Sequence, residues 1–390
     1  MPWPFYRRRK AMLESRSEVG GALTDRFGLR LFRELVRPDP LQNVVFSPCS
    51  VMFCLAMMYE GATGETRQAI AEILGISNLD EHGRSLAMVQ LKSALHTPGD
   101  VQLLVANSLW CNRQIAVRAD YIARMREDLD AQVESVDFTS AETIHRINAW
   151  VRENTRGKIS RIVESIPPLA LIVALNAIYF KGQWNRPFDR LQTHDELFTT
   201  GGGQKGKVPM MRKSGRFRYL QRRMFQAVAI PYESFRTSMY VFLPARGRTL
   251  GDFEQTLTSG EWQNWMSDFE DVGGLVALPR FSVSYGSCLN RPLKEMGMAV
   301  AFDQQRARFE GISSVPPESW IDLVFHRAVA EVNEEGTEAA AVTSMTVLAA
   351  SVRRRRERTF EMIVDRPFFF AIRDDYNGVV LFMGGVADPR

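Results

Sequence analysis

Residues 331–350 read EVNEEGTEAAAVTSMTVLAA, and residues 351–358 continue as SVRRRRER. Glu331, Glu334 and Glu335 form an acidic stem ahead of Gly336. Beyond the glycine the side chains are small or tolerant of β structure: Thr337, then Ala339, Ala340 and Ala341 together, then Val342. Five arginines fall within residues 353–358. Gly336 gives the backbone freedom to turn there. Composition alone fits a surface loop or a short Ala-rich helix followed by a solvated charge run. The flanking sequence separates these readings from a more specific one.

Towards the C-terminus, residues 367–373 (PFFFAIR) and 379–386 (VVLFMGGV) read as two strands joined by a turn at Asp374–Gly378. Upstream, residues 171–180 (LIVALNAIYF), 226–230, 238–243 and 275–285 are apolar or alternating runs between Gly and Pro punctuation, which is a strand pattern. The first third reads as helical. Leu23, Phe27, Leu31 and Leu35 recur at helical spacing before Pro38, and residues 51–60 and 65–74 give two more helices closed by Gly61 and Gly75. Residues 141–154 place Ile144, Ile147 and Val151 on one helical face. Helices first and strands after, with few alternating units, predict an α+β fold with mainly antiparallel sheets.

The 390 residues are 45% hydrophobic and 24% charged, which is enough apolar material for a large core. No Ser/Pro/Gly-rich linker divides them, so one large domain or two lobes are both allowed. The formal net charge is +4. Arg7, Arg8, Arg9 and Lys10 contribute +4, and residues 351–358, with five arginines and one glutamate, another +4. Removing both clusters leaves −4 on the rest, so the body predicts no nucleic-acid-binding surface.

Cys49, Cys54, Cys111 and Cys288 have neither metal-ligand nor redox spacing, and no Asn-x-Ser/Thr sequon occurs. The opening MPWPFYRRRKAML carries charge with no apolar stretch behind it, and no run of about 18 apolar residues suggests a membrane span. These features favour a cytoplasmic, reducing location for the chain as written. A processed or incomplete N-terminus would make it secreted.

The five histidines, His82, His96, His145, His194 and His326, form no HExxH or other metal spacing. There is no Walker A loop, no GxGxxG and no GxSxG elbow. Gly201-Gly202-Gly203 lacks the context of a phosphate loop and reads as a turn. No cofactor is implied, and nothing points to an enzyme.

The pattern of blocks along the chain is more informative. VVFSPCS (44–50) precedes an apolar helix and GATGETRQAI (61–70). INAWVRENTRGKI (147–159), LNAIYFKGQW (175–184), VPMM (208–211), LPRF (278–281), LKEMGMAVAF (293–302), HRAVAEVNEEGTEAA (326–340), DRPFFFAIRD (365–374) and LFMGGVADP (381–389) follow. In this order the blocks resemble the serpin family over nearly the whole chain, with variants most similar to arthropod inhibitory members.

The resemblance implies a serpin fold: helices packed on mainly antiparallel sheets, a large central sheet and an exposed reactive loop near the C-terminus. It places a flexible basic extension at residues 1–20, a serpin domain at 21–390 and the loop at about 334–362. The family traps serine proteases. The target serine attacks the loop and forms an acyl-enzyme. The cut loop then enters the central sheet as a new strand and drags the protease away. A displacement of about 1 Å can cost roughly 100-fold in rate. Ladder hydrogen bonds over roughly a dozen inserted residues, at ~0.5–1.5 kcal/mol net each, give about 6–18 kcal/mol. This rivals the ~5–15 kcal/mol stability of ordinary proteins, so the starting state is held kinetically.

Carried over residue by residue, the loop hinge is Glu334, Gly336, Thr337, Ala339, Ala340 and Ala341. Small uncharged side chains there enter a sheet at little cost, where a charge or proline would oppose burial. Ser47, Ser50, Asn176 and His326 match a buried network where the sheet opens, and Trp184 matches a tryptophan at its upper end. Family spacing from Gly336 puts the scissile bond at Ala350–Ser351, suited to an elastase-like protease. The segment up to Pro367 is a few residues longer than in common members. If the excess precedes the cut, the bond follows Arg353 or Arg354, suited to a trypsin-like or furin-like protease. Arg353–Arg356 could also attract acidic protein surfaces or heparin. A monomer is expected, with a serine protease as partner and neither nucleic acid nor membrane. The alternative is a non-inhibitory serpin acting as carrier, chaperone or binding protein, whose mark is a spoiled hinge. Here the hinge residues are intact.

Overall fold

The structure is a computed structural model that describes residues 19–96, 101–315, 319–335 and 359–390. The elements run α1 (Val19–Val36), β1 (Val44–Phe46), α2 (Pro48–Gly61), α3 (Gly64–Leu74), α4 (Glu81–Leu95), β2 (Val101–Asn112), α5 (Ala119–Leu129), β3 (Gln132–Val136), α6 (Ala141–Asn154) and β4 (Ile172–Gly182). Then come β5 (His194–Thr199), β6 (Lys205–Gln221), β7 (Phe225–Pro231), β8 (Thr237–Pro244), α7 (Leu250–Thr256), α8 (Ser259–Ser267), β9 (Glu270–Pro279), β10 (Phe281–Cys288) and α9 (Asn290–Leu293). The chain closes with β11 (Ile321–Val332), β12 (Thr359–Ile363), β13 (Phe368–Asp374) and β14 (Val380–Val386).

These form two sheets. The five-stranded sheet has the order β10-β11-β4-β2-β3. The nine-stranded sheet runs β1-β14-β13-β8-β7-β6-β9-β12, with β5 added on β6. Among the described residues three pairs are parallel, β11·β4, β2·β3 and β12·β9, and the others are antiparallel. The predicted α+β class with mainly antiparallel sheets is what is found.

The helix α2 is apolar all round and buried, as a helix in the middle of a large core must be. Pro48 occupies its first turn, where no N–H is missed, and Ser47 Oγ accepts from the Ser50 N–H at 3.1 Å as its cap. The helix α3 stops at Gly75, which takes the left-handed conformation (φ 76°) that only glycine adopts without strain. At the other end of the core, Phe225, Phe242 and Phe369 of the nine-stranded sheet pack against Phe253, Trp262 and Trp265 of α7 and α8 with ring centroids 4.6–6.2 Å apart.

Several sequence expectations need correction. The first third is not purely helical, since β2 crosses it. The run read as one strand over 275–285 is two, β9 and β10, split at Arg280 and belonging to different sheets. Arg280 lies between the two strands and donates its backbone N–H to the Pro209 carbonyl of β6 at 2.8 Å. Val19 and Gly20, assigned to the N-terminal extension, are the first turn of α1. Residues 359–362, assigned to the loop, are the start of β12. The glycine run 201–203 is a turn, as read.

Candidate functional site

The centre of the five-stranded sheet is a parallel seam. β11 lies beside β4 in register from Leu323↔Val173 to Glu331↔Lys181. Because the strands are parallel, both end on the same side. The chain leaving β11 therefore departs next to the end of β4. Residues 333–335 are held there by the segment that follows β4. Trp184 Nε1 donates to the Asn333 carbonyl at 2.7 Å, the Phe188 N–H to the Glu334 carbonyl at 2.8 Å, and the Trp184 N–H to the Glu335 carbonyl at 3.3 Å. Glu334 is buried with its carboxylate 3.6 Å from the Arg280 guanidinium, and Glu335 pairs with Arg190.

Trp184 is itself fixed by aromatic packing. It stacks on Tyr232 (centroids 4.5 Å, 6° between planes) and meets Phe188 edge-on at 5.9 Å. Gly182 makes the stack possible, since a Cβ there would lie 2.5 Å from the Tyr232 ring. The chain re-enters the described structure at β12, where Phe360 stacks on Tyr219 at 3.9 Å. A Cβ on Gly274 beneath it would lie 2.4 Å from the Phe360 ring.

Under the seam the structure brings Ser47, Ser50, Asn176 and His326 together, all buried. Asn176 and His326 are register partners across β4 and β11. The Ser47 backbone N–H donates to His326 Nε2 at 3.3 Å. His326 Nδ1, which must then carry the proton, donates to Asn176 Oδ1 at 2.5 Å. Asn176 Nδ2 donates to Ser50 Oγ and to Asn107 Oδ1. Every polar atom of the imidazole is used by the neutral ring, and burial lowers the His326 pKa to about 3. Asn107, on β2, is a member that the sequence reading missed. Its signal was an amide inside the apolar run VQLLVANSLWCN. Tyr232, Phe188 and Arg280 were also missed as supports of the loop root.

Of the hinge residues, Glu334 is described. Gly336, Thr337, Ala339, Ala340 and Ala341, and the scissile-bond candidates Ala350, Ser351, Arg353 and Arg354, lie outside the described residues, as does the cluster Arg353–Arg356. No group of three or more His, Cys, Asp or Glu that could hold a metal occurs among the described residues. No helix among them is long and apolar enough to cross a membrane.

The folded architecture is that of a two-sheet protein with a parallel seam at the root of a C-terminal segment. The family model described as serpin (serine protease inhibitor) matches residues 22–389, and the chain belongs to the serpin family. It is 34% identical over 370 residues to a serpin-like protein of Thermococcus kodakarensis, covering 93% of this chain and 84% of that one. It is 33% identical to Iripin-2 of Ixodes ricinus over 373 residues (93% and 91% covered). It is 34% identical to Serpin B8 of Homo sapiens over 375 residues (93% and 97%). Among solved structures, native tengpin, a thermophilic serpin, matches with TM-score 0.85 at 26% identity, covering 94% of this chain and 93% of that one. Native protease nexin-1 with heparin matches with TM-score 0.84 at 26% identity, covering 96% and 100%. Proteins of this family are mostly protease inhibitors rather than enzymes.

Proposed function

We propose that this chain is an inhibitory serpin, a suicide substrate that captures a serine protease as an acyl-enzyme and arrests it by inserting the cut loop between β11 and β4. The observation that carries this reading is the parallel seam with the loop root at its open end. An arm that turned back from Glu335 would run antiparallel to both β11 and β4. It would replace one parallel ladder with two antiparallel ones, the more stable kind per residue.

The arm is long enough. A cut after Ala350 frees residues 336–350, fifteen residues that reach roughly 50 Å when extended. The seam strand β4 has 11 residues. A cut after Arg353 or Arg354 frees still more. Of the arm's first residues, Gly336, Thr337 and Ala339–Ala341 are small enough to enter a sheet, and in a strand the charged Glu338 would face the side opposite Thr337 and Ala339. The seam is floored by the polar network of Ser47, Ser50, Asn107, Asn176 and His326. Its hydrogen bonds tie β4 and β11 to each other and to α2, and must rearrange when the strands part.

The target reads as an elastase-like protease if the bond is Ala350–Ser351, and as a trypsin-like or furin-like one if it follows Arg353 or Arg354. Arg353–Arg356 would in either case present positive charge near the bond, to an acidic protease surface or to heparin.

The test is incubation with neutrophil-type elastase, trypsin and a furin-like protease, followed by denaturing gels and weighing of the released C-terminal peptide. A covalent band that survives denaturation is expected, with the peptide mass selecting Ala350 or an arginine. Cleavage by all three without any such band would favour the carrier or binding-protein reading.

A further inference from the structure

Buried polar groups almost always find a partner, so an exception marks either strain or a role. Tyr232 Oη is buried and has none among the described residues. Thr237, which closes the same β7–β8 hairpin by accepting the Tyr232 N–H at 2.9 Å, also buries a hydroxyl with no partner among the described residues. The place matters. The Tyr232 ring lies flat against Trp184. Both N–H groups of Trp184 are spent on the carbonyls of Asn333 and Glu335. These carbonyls lie at the base of the arm that, on the insertion reading, folds back into the seam. Tyr232 is thus one ring away from the base of that arm.

The ring cannot relax to find a partner while the root is closed. Phe180 meets it edge-on at 5.3 Å, Trp184 covers one face, and the Cβ-free Gly182 backbone holds it closely. Once Glu335 leaves, Trp184 loses that restraint and no longer pins the Tyr232 ring beneath it.

We infer that the unpartnered hydroxyl of Tyr232 destabilises the closed, loop-out form selectively, so that seam opening relieves it and Tyr232 helps drive insertion. Tyr232 is a positioning residue in this role, acting through Trp184. The inference rests on the insertion reading above.

The variant Tyr232→Phe keeps the ring and its stack and removes only the oxygen. Native protein and protein cleaved within residues 336–358 are melted side by side at one scan rate, for wild type and variant. The native midpoint of Tyr232→Phe is expected to rise by about 1–4 °C, with the cleaved midpoint unchanged. An equal rise in both forms would mean that the hydroxyl is unpartnered in both, and overturns the inference. So does a native midpoint that stays level or falls. Wild-type protein that gains no heat stability on cleavage would instead remove the insertion reading itself, and this inference with it.

Discussion

His326 is held neutral in the fold, and the consequence has a definite sign. Its folded pKa of about 3 lies below the usual 6.5, so between those values the unfolded chain binds the extra proton and the folded one does not. The stability tied to the neutral ring is complete above about pH 6.5 and is lost as pH falls towards about 3. Between pH 6 and 5 the loss should approach ~1.4 kcal/mol per pH unit. His326→Gln should flatten that slope in urea titrations, and a slope equal to wild type would mean that His326 is not the group responsible. Thr337 makes the complementary case. On the proposed mechanism Thr337→Arg would place a charge at the head of the entering arm, so the variant should be cut and released by a protease that wild type is expected to retain. Stable complexes from Thr337→Arg would sink the insertion mechanism. The motifs made Ser47, Ser50, Asn176 and His326 legible in the sequence. They did not mark Asn107, because an amide in an apolar strand reads the same whether it joins a network or is satisfied locally. Tyr232 was hidden for a similar reason, since only packing shows that its oxygen lacks a partner.

At the scale of elements, the two ends of the loop are fastened by different means, the root by hydrogen bonds from the Trp184 indole and the Trp184 and Phe188 backbone together with the ion pairs of Glu334 and Glu335, and the far end by β12. Beside its parallel ladder with β9, β12 is held by the Phe360–Tyr219 stack over Gly274. Gly274→Ala would put a methyl 2.4 Å from the edge of the Phe360 ring and 2.5 Å from the Phe360 carbonyl, and should lift β12 from β9. Gly273→Ala, with nothing within 4 Å of its Cβ, is the control. Amides of residues 359–363 should exchange at least about tenfold faster in Gly274→Ala, while those of the β11–β4 seam stay unchanged. Unchanged exchange in β12 would show that Phe360 does not hold it.

Element legibility followed periodicity. α2, α3, α6, β4 and the β13–β14 pair were visible because their apolar residues are large and regular. The helix α4 escaped notice because its buried stripe is Ala87, Leu91, Ala94 and Leu95, half of it alanine, while Val89 faces solvent. β9 and β10 merged because the chain passes from one sheet to the other through Arg280 alone, leaving the apolar alternation almost unbroken.

For the molecule as a whole, the proposed insertion would add a strand to the five-stranded sheet at its parallel seam. Adding about a dozen ladder bonds at ~0.5–1.5 kcal/mol each amounts to about 6–18 kcal/mol. With an unfolding entropy near 2.1 cal/mol/K per residue, that corresponds to a midpoint roughly 7–22 °C higher after cleavage. Calorimetry of native and cleaved protein measures this directly, and equal midpoints would place the chain among serpins that do not insert. One further result follows from the strand order of the nine-stranded sheet. Every residue after a cut in 336–358 belongs to a short C-terminal piece containing β12, β13 and β14. Of these, β13 and β14 are interior strands, flanked by β8 and β1. A single nick therefore turns one polypeptide into a two-chain protein whose smaller chain is part of the core and cannot dissociate without unfolding the larger one. A molecule that is cut and released free of protease should keep the size of an intact one in native solution and separate into two chains only when denatured, so it carries a lasting record of its one encounter.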